Sequence, residues 1–120
     1  MEYSLELNPR PFEAIKKGAK KIEGRVPTEH NKNVPLDKLK KGDKIIFINN
    51  SNGETMKVIA TGVRHYKDAK TMLESEGVKN VLSSGGNIKQ SVESYNKMHG
   101  YKENIKKHGI YAIEIKSSHK

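Results

Sequence analysis

Polar and apolar residues alternate at the start of the chain, where Tyr3, Leu5 and Leu7 interleave with Ser4, Glu6 and Asn8. This two-residue period predicts a half-buried strand. The period then changes to that of a helix. Asn8 stands at a capping position, Pro9 suits the first turn, Phe12 and Ile15 share a face, Lys16 and Lys17 complement the C-terminal dipole, and Gly18 ends the helix. Residues 20–26 return to alternation, with Ile22, Gly24 and Val26 on one side and Lys21, Glu23 and Arg25 on the other. The expectation is a short strand whose outward face is wholly charged.

Residues 27–35 hold Asn, His, Lys and two prolines with almost nothing apolar, so an exposed loop is expected. Leu36 and Leu39 suit a single helical turn. After Gly42 and Asp43, the unbroken run Ile45, Ile46, Phe47, Ile48 suits a strand buried on both faces. Residues 49–53 are turn chemistry, with Asn52 and Gly53 favouring positive φ, and residues 55–66 resume as a long strand. That strand sets Met56, Val58 and Ala60 against Ile59, Thr61 and Val63, and a hairpin is implied.

Asp68 caps a helix through Met72 and Leu73 that stops at Gly77, and residues 78–82 add a turn. Residues 83–86 read as a linker, a flexible connector rather than a phosphate cradle, because no Gly-Lys-Ser/Thr ending follows. Asn87 caps a helix whose stripe is Ile88, Val92, Tyr95 and His99, ending near Gly100. Residues 110–115 form the last strand and 117–120 a frayed tail. The missing twelve-residue crossovers between the middle strands argue against a parallel doubly wound sheet. What remains is an α+β fold: a small mixed barrel or sheet that ties the two ends of the chain together.

At 120 residues the chain is expected to form a single domain over 1–120. No stretch approaches the ~20 apolar residues of a membrane helix, and the first residues lack signal-peptide order, so a cytoplasmic, soluble monomer without membrane partners is expected. The absence of cysteine excludes disulfides, thiolate catalysis and thiolate zinc sites. His30, His65, His99, His108 and His119 show no ligand spacing, so neither metal nor cofactor is expected. The net charge of +9 draws polyanions by long-range attraction, which puts nucleic acid first among partners. Of the 23 basic residues, however, only Arg10, Arg25 and Arg64 are arginine, and ten Asn accompany the lysines. Compositional bias accounts for that pattern equally well. A Lys-rich surface argues for affinity more than for sequence specificity.

The run from Asn8 to Val26, NPRPFEAIKKGAKKIEGRV, resembles the opening signature of ASCH domains: an apolar helix, then Gly18, Lys20, Glu23 and Arg25. Further likenesses are Leu39 to Asp43 ahead of a buried strand, Leu73 to Gly77 in mid-chain, Tyr95 in the long helix, and His108 to Ile113 as closing strand. The resemblance implies a PUA-like small β-barrel with flanking helices and a cleft beside the Lys-to-Arg strand. It also implies an RNA or nucleotide-like ligand. The alternative it carries is a small hydrolase, acting on acetylated cytidine through Lys, Thr and Glu, or a ribonuclease. Lys20 matches the lysine of that set, but Glu23 occupies the position of the nucleophilic Thr and cannot form the same covalent intermediate. The partnering carboxylate aligns with Glu74 or Glu76.

The resulting site expectation is that Lys20, Lys21, Arg25 and Arg64 hold phosphates and Glu23 accepts hydrogen bonds from base or ribose. Lys20 and Glu23 are the candidate catalytic pair. Their three-residue spacing puts them on opposite faces of a regular strand, so both line one cleft only if Lys20 precedes the strand or a bulge intervenes. The competing reading makes Glu23 and Arg25 a silent surface ion pair. Tyr66, Tyr95, Tyr101 and Tyr111 have faces for stacking bases, against core packing; for Tyr95 the stripe favours a core ring with its hydroxyl toward the cleft.

Overall fold

The computed structural model describes residues 2–28, 34–82, 86–98 and 100–117. Among these, five strands and five helices follow in the order β1 (Glu2–Leu7), α1 (Pro9–Lys16), β2 (Ile22–Arg25), β3 (Lys44–Asn49), β4 (Thr55–Tyr66), α2 (Ala69–Glu76), α3 (Val78–Val81), α4 (Ile88–Lys97), α5 (Tyr101–His108) and β5 (Ile110–Ser117). His99, the centre of the 27–35 loop, most of the 83–86 linker and the end of the tail lie outside the described residues.

The strands form one sheet in the order β1-β3-β4-β5-β2, with β1 parallel to β3 and the other neighbours antiparallel. It curls into a half-barrel flanked by helices, the α+β architecture expected from the element order. The first and last strands share this sheet but are not neighbours, since β3 and β4 lie between them. The seam between the edges β1 and β2 is spanned by a side chain: the Arg25 guanidinium donates to the Glu6 carbonyl at 2.9 Å. One cation thus meets an edge carbonyl that no strand covers.

Two apolar clusters occupy the two faces. One gathers Leu5, Leu7, Phe12, Ile15, Ile45, Phe47, Val58, Ala60, Ile113 and Ile115; the other gathers Ile22, Val26, Met72, Leu73, Tyr95, Ile105, Ile110 and Ala112 beneath α2 to α5. Strand β5 feeds both, as its alternating side chains dictate. Strand β4 also serves the first cluster along its length, although Val58 and Ala60 are out of phase with Val63. The register with β5 shifts between Ala60 and Gly62, so Thr61 is an extra residue that resets the alternation. The expected grouping of Val58 and Ala60 against Val63 is corrected by this bulge.

Other expectations are corrected by packing. Asn8 occupies the N-cap position but makes no capping hydrogen bond; its Oδ1 accepts from Asn50 Nδ2 at 2.8 Å instead. Strand β3 is fully buried only at Ile45 and Phe47 of its apolar run, with Ile46 and Ile48 half-buried. Val34, expected in an exposed loop, is core together with Leu36 and Leu39. Helix α5 was not anticipated, because Tyr101 and Ile105 are its only large apolar residues. It opens from Gly100 at φ 78°, a conformation that costs glycine little. The other caps fall where expected: Asp68 accepts from the Thr71 amide at 2.8 Å, and Asn87 and Gln90 form a reciprocal capping box.

Candidate functional site

The face of β2 expected to be charged and outward is charged and buried. Glu23 lies opposite Ile113, and Arg25 opposite Tyr111, so their side chains leave the sheet on the side of the first apolar cluster. Lys20 precedes the strand, as a shared site requires. Its amide and that of Ala19 both donate to the Ala14 carbonyl, a turn after Gly18 that brings the lysine back over β2. The exposures of Lys20, Glu23 and Arg25 are 5%, 6% and 9%, so the surface ion pair reading does not describe them. Lys21 is exposed.

The three head groups converge on one carboxylate. Lys20 Nζ lies 3.1 Å from Glu23 Oε1, and Arg25 Nε donates to Glu23 Oε2 at 2.7 Å. Lys20 also donates to the Val81 carbonyl of α3, while Arg25 reaches Glu6 on β1. Three segments distant in sequence, β1, α3 and the stretch 20–25, therefore meet around Glu23. Burial pushes the Glu23 carboxyl up, but Lys20 and Arg25 outweigh it, and the group is held below the ordinary carboxylate range. Burial disfavours the charged Arg25 as well, and Glu23 reverses that, so the pair stays ionised.

Two tyrosines flank the cluster. Tyr95 is a core residue of α4, and its hydroxyl lies over Gly24: a Cβ at that position would sit 2.5 Å from the oxygen and 3.3 Å from Met72 Cε. Burial, then the Glu23 charge, raises its phenol well above normal, so it remains a neutral donor. Tyr101 stacks on Tyr95 with centroids 6.2 Å apart and planes 7° from parallel. Its charge interaction with Arg25 places it near the cluster too. The carbonyls of Glu6 and Val81 were not among the expected site groups, since main-chain acceptors leave no mark in residue type; Tyr101, expected as a face for stacking bases, stacks on Tyr95 instead.

Arg64 is not brought into this cluster. It forms a bidentate pair with Glu76 at 2.5 and 2.8 Å and reaches Glu114 at 3.0 Å, while the Tyr66 hydroxyl donates to Glu76 at 2.5 Å. This network ties β4, α2 and β5, and Arg64 above all holds Glu76 below the usual carboxylate range. Of the two mid-chain carboxylates, Glu76 is thus engaged by Arg64, and Glu74 is exposed. Among the described residues no group of three His, Asp or Glu is placed to hold a metal, and no helix is long and apolar enough to cross a membrane.

An open pocket of about 470 Å³ lies between the end of α1, the β4 bulge and the end of β5, and of the ionic cluster it touches Lys20 but neither Glu23 nor Arg25. Lys20 and Lys21 form part of its wall.

The ASCH domain family model matches residues 5–119. The crystal structure of hypothetical protein PH0355 is similar at 38% identity and a TM-score of 0.80, covering 98% of this chain and 99% of that one. The solution structure of protein PF0455 from Pyrococcus furiosus is similar at 34% identity and a TM-score of 0.74, over 100% of both chains. None of the curated proteins matches. The chain belongs to the ASCH domain family, and its half-barrel is of the PUA-like kind.

Proposed function

We propose that this ASCH domain protein binds RNA or a nucleotide-like ligand at the Lys20, Glu23 and Arg25 cluster, with Lys21 at its rim. The observation that carries the reading is the buried carboxylate bridging two cations, one of which, Lys20, also lines an open pocket. Burying three charges is a poor way to gain stability, since desolvation offsets most of the attraction. Groups held ionised at depth next to a pocket are characteristic of ligand sites. Glu23 supplies a fixed acceptor for base or ribose donors, Lys20 and Arg25 orient it, Lys21 contributes a solvated charge for phosphate, and Tyr95 offers a neutral hydroxyl. Arg64, tied to two carboxylates, is left a structural part in this reading.

The hydrolase reading has less behind it. A carboxylate held below its ordinary range is a weak proton acceptor, so water activation by Glu23 has little driving force. Glu23 also stands where the resembling enzymes carry threonine.

The test is binding of a single-stranded RNA by Lys20→Ala and Arg25→Ala proteins across a salt series, with far-UV circular dichroism to confirm folding. Weakened binding in folded variants is expected. Unchanged affinity in both ends the proposal.

A further inference from the structure

Five of the thirteen residues lining the 470 Å³ pocket are lysines: Lys16, Lys17, Lys20, Lys21 and Lys116. They come from three segments whose meeting depends on the fold. Lys16 and Lys17 sit at the end of α1, Lys21 follows the Gly18 turn, and Lys116 lies near the end of β5. The Ile115 amide donates to the Lys21 carbonyl at 3.0 Å, which brings the last two together. The bulge residue Thr61 lies in the same wall.

Lys16 is paired with Glu54 at 2.6 Å and Lys20 with Glu23. Among the described residues, Lys17, Lys21 and Lys116 make no ion pair and are exposed. The one carboxylate in the lining, Glu114, is bonded to Arg64 at 3.0 Å and so is partly neutralised. Three exposed lysines thus line one concavity, and an anion there is attracted by all three. The interior wall is apolar, formed by Ile15, Met56, Val58 and Ile115. An inorganic anion would use the amines and leave that wall in water. A ligand with an anionic end and a flat apolar body uses both.

We infer that this pocket seats one nucleotide of a single-stranded RNA, its phosphate held by Lys17, Lys21 and Lys116 and its base lying on Ile15, Met56 and Ile115. The inference rests on the proposed function and names a site for the phosphate outside the buried cluster. The volume fits, since pockets for such ligands span roughly 300 to 1,000 Å³. Lysine contacts to phosphate carry affinity without sequence choice, so the seat accepts any base.

The experiment measures binding of a labelled 5′-phosphorylated oligouridylate by fluorescence anisotropy between 50 and 300 mM salt, all as about the working range for counterion release. Three proteins are compared: the parent, the triple variant Lys17→Gln, Lys21→Gln, Lys116→Gln, and a control triple, Lys102→Gln, Lys106→Gln, Lys107→Gln, on exposed positions of α5. Both triples remove equal charge from exposed sites. With ~0.7 of log-log slope per phosphate neutralised on single strands and one phosphate in the seat, the pocket triple should lose about 0.7 units of slope and at least roughly tenfold in affinity. The control triple should lose far less. Equal losses in the two triples would make the lysines a diffuse field and overturn the seat. If the parent binds and Arg25→Ala weakens it while the pocket triple does not, the seat fails and the proposed function stands. If the parent does not bind at all, both fail.

Discussion

Replacing Glu23 with Gln keeps the shape of the side chain and removes the one anion that Lys20 and Arg25 share. Both cations stay buried, at 3.1 and 2.7 Å from an amide that cannot neutralise them. Breaking a buried pair by removing one partner costs about 3–5 kcal/mol, because an uncompensated charge is left behind. Unfolding entropy of ~2.1 cal/mol/K per residue gives roughly 250 cal/mol/K for a chain of this length, so each kcal/mol moves Tm by about 4 °C and the variant should melt ~12–20 °C lower. Urea unfolding followed by circular dichroism reads the same loss as a fall in midpoint at constant m-value. The complementary protein, Lys20→Met, Glu23→Leu, Arg25→Met, removes all three charges together and should remain within about 2 kcal/mol of the parent, since an apolar replacement of a buried ion cluster is often neutral. It should also lose ligand binding. A Glu23→Gln loss below about 1 kcal/mol would put the cluster in the regime of solvated surface pairs and sink the argument.

Gly24→Ala pushes a methyl to 2.5 Å from the Tyr95 hydroxyl and should cost about 1–3 kcal/mol, with partial recovery in the Gly24→Ala, Tyr95→Phe double variant; a double-mutant cycle by thermal melting checks the coupling. Asp68→Ala removes the cap on α2 and should cost about 1 kcal/mol in urea unfolding. Phe12→Ala empties a fully buried site between α1 and the sheet and should cost about 3–5 kcal/mol by the same measure. Glu23, Glu76 and Asp68 are all held below the ordinary range, so each contributes stability that is complete above the unfolded-state carboxyl values of about 4 and is lost as pH falls through the folded values. The urea midpoint should therefore decline on acidification below about pH 4; an increase there would contradict the assignment of these carboxylates.

Much of this molecule is written locally. The alternation of Tyr3, Leu5 and Leu7, the caps at Asp68 and Asn87, and the glycine stops at Gly18 and Gly77 depend on neighbours within a few residues, and strands and helices follow from them wherever the chain packs. The two faces of β2 were legible for the same reason. Whether the charged face met water was not, because that depends on Ile113 and Tyr111 of a strand some ninety residues away. A carboxylate flanked by two cations reads as solvated until the partners of each are known.

The non-local outcomes share one cause. A bulge at Thr61 adds a residue that local alternation cannot reveal, and it keeps Val63 on the same core as Val58 and Ala60. Arg64 looked equivalent to Arg25 as a lone arginine on a strand, yet packing of α2 gave it Glu76 and Tyr66. Side-chain type and spacing dictated the elements and the residues able to carry charge. Closure of the sheet, which brings β1, α3 and β2 around one carboxylate, selected which of those charges are buried together. Periodicity records only near-neighbour geometry, whereas burial is set by segments that meet when the whole chain folds.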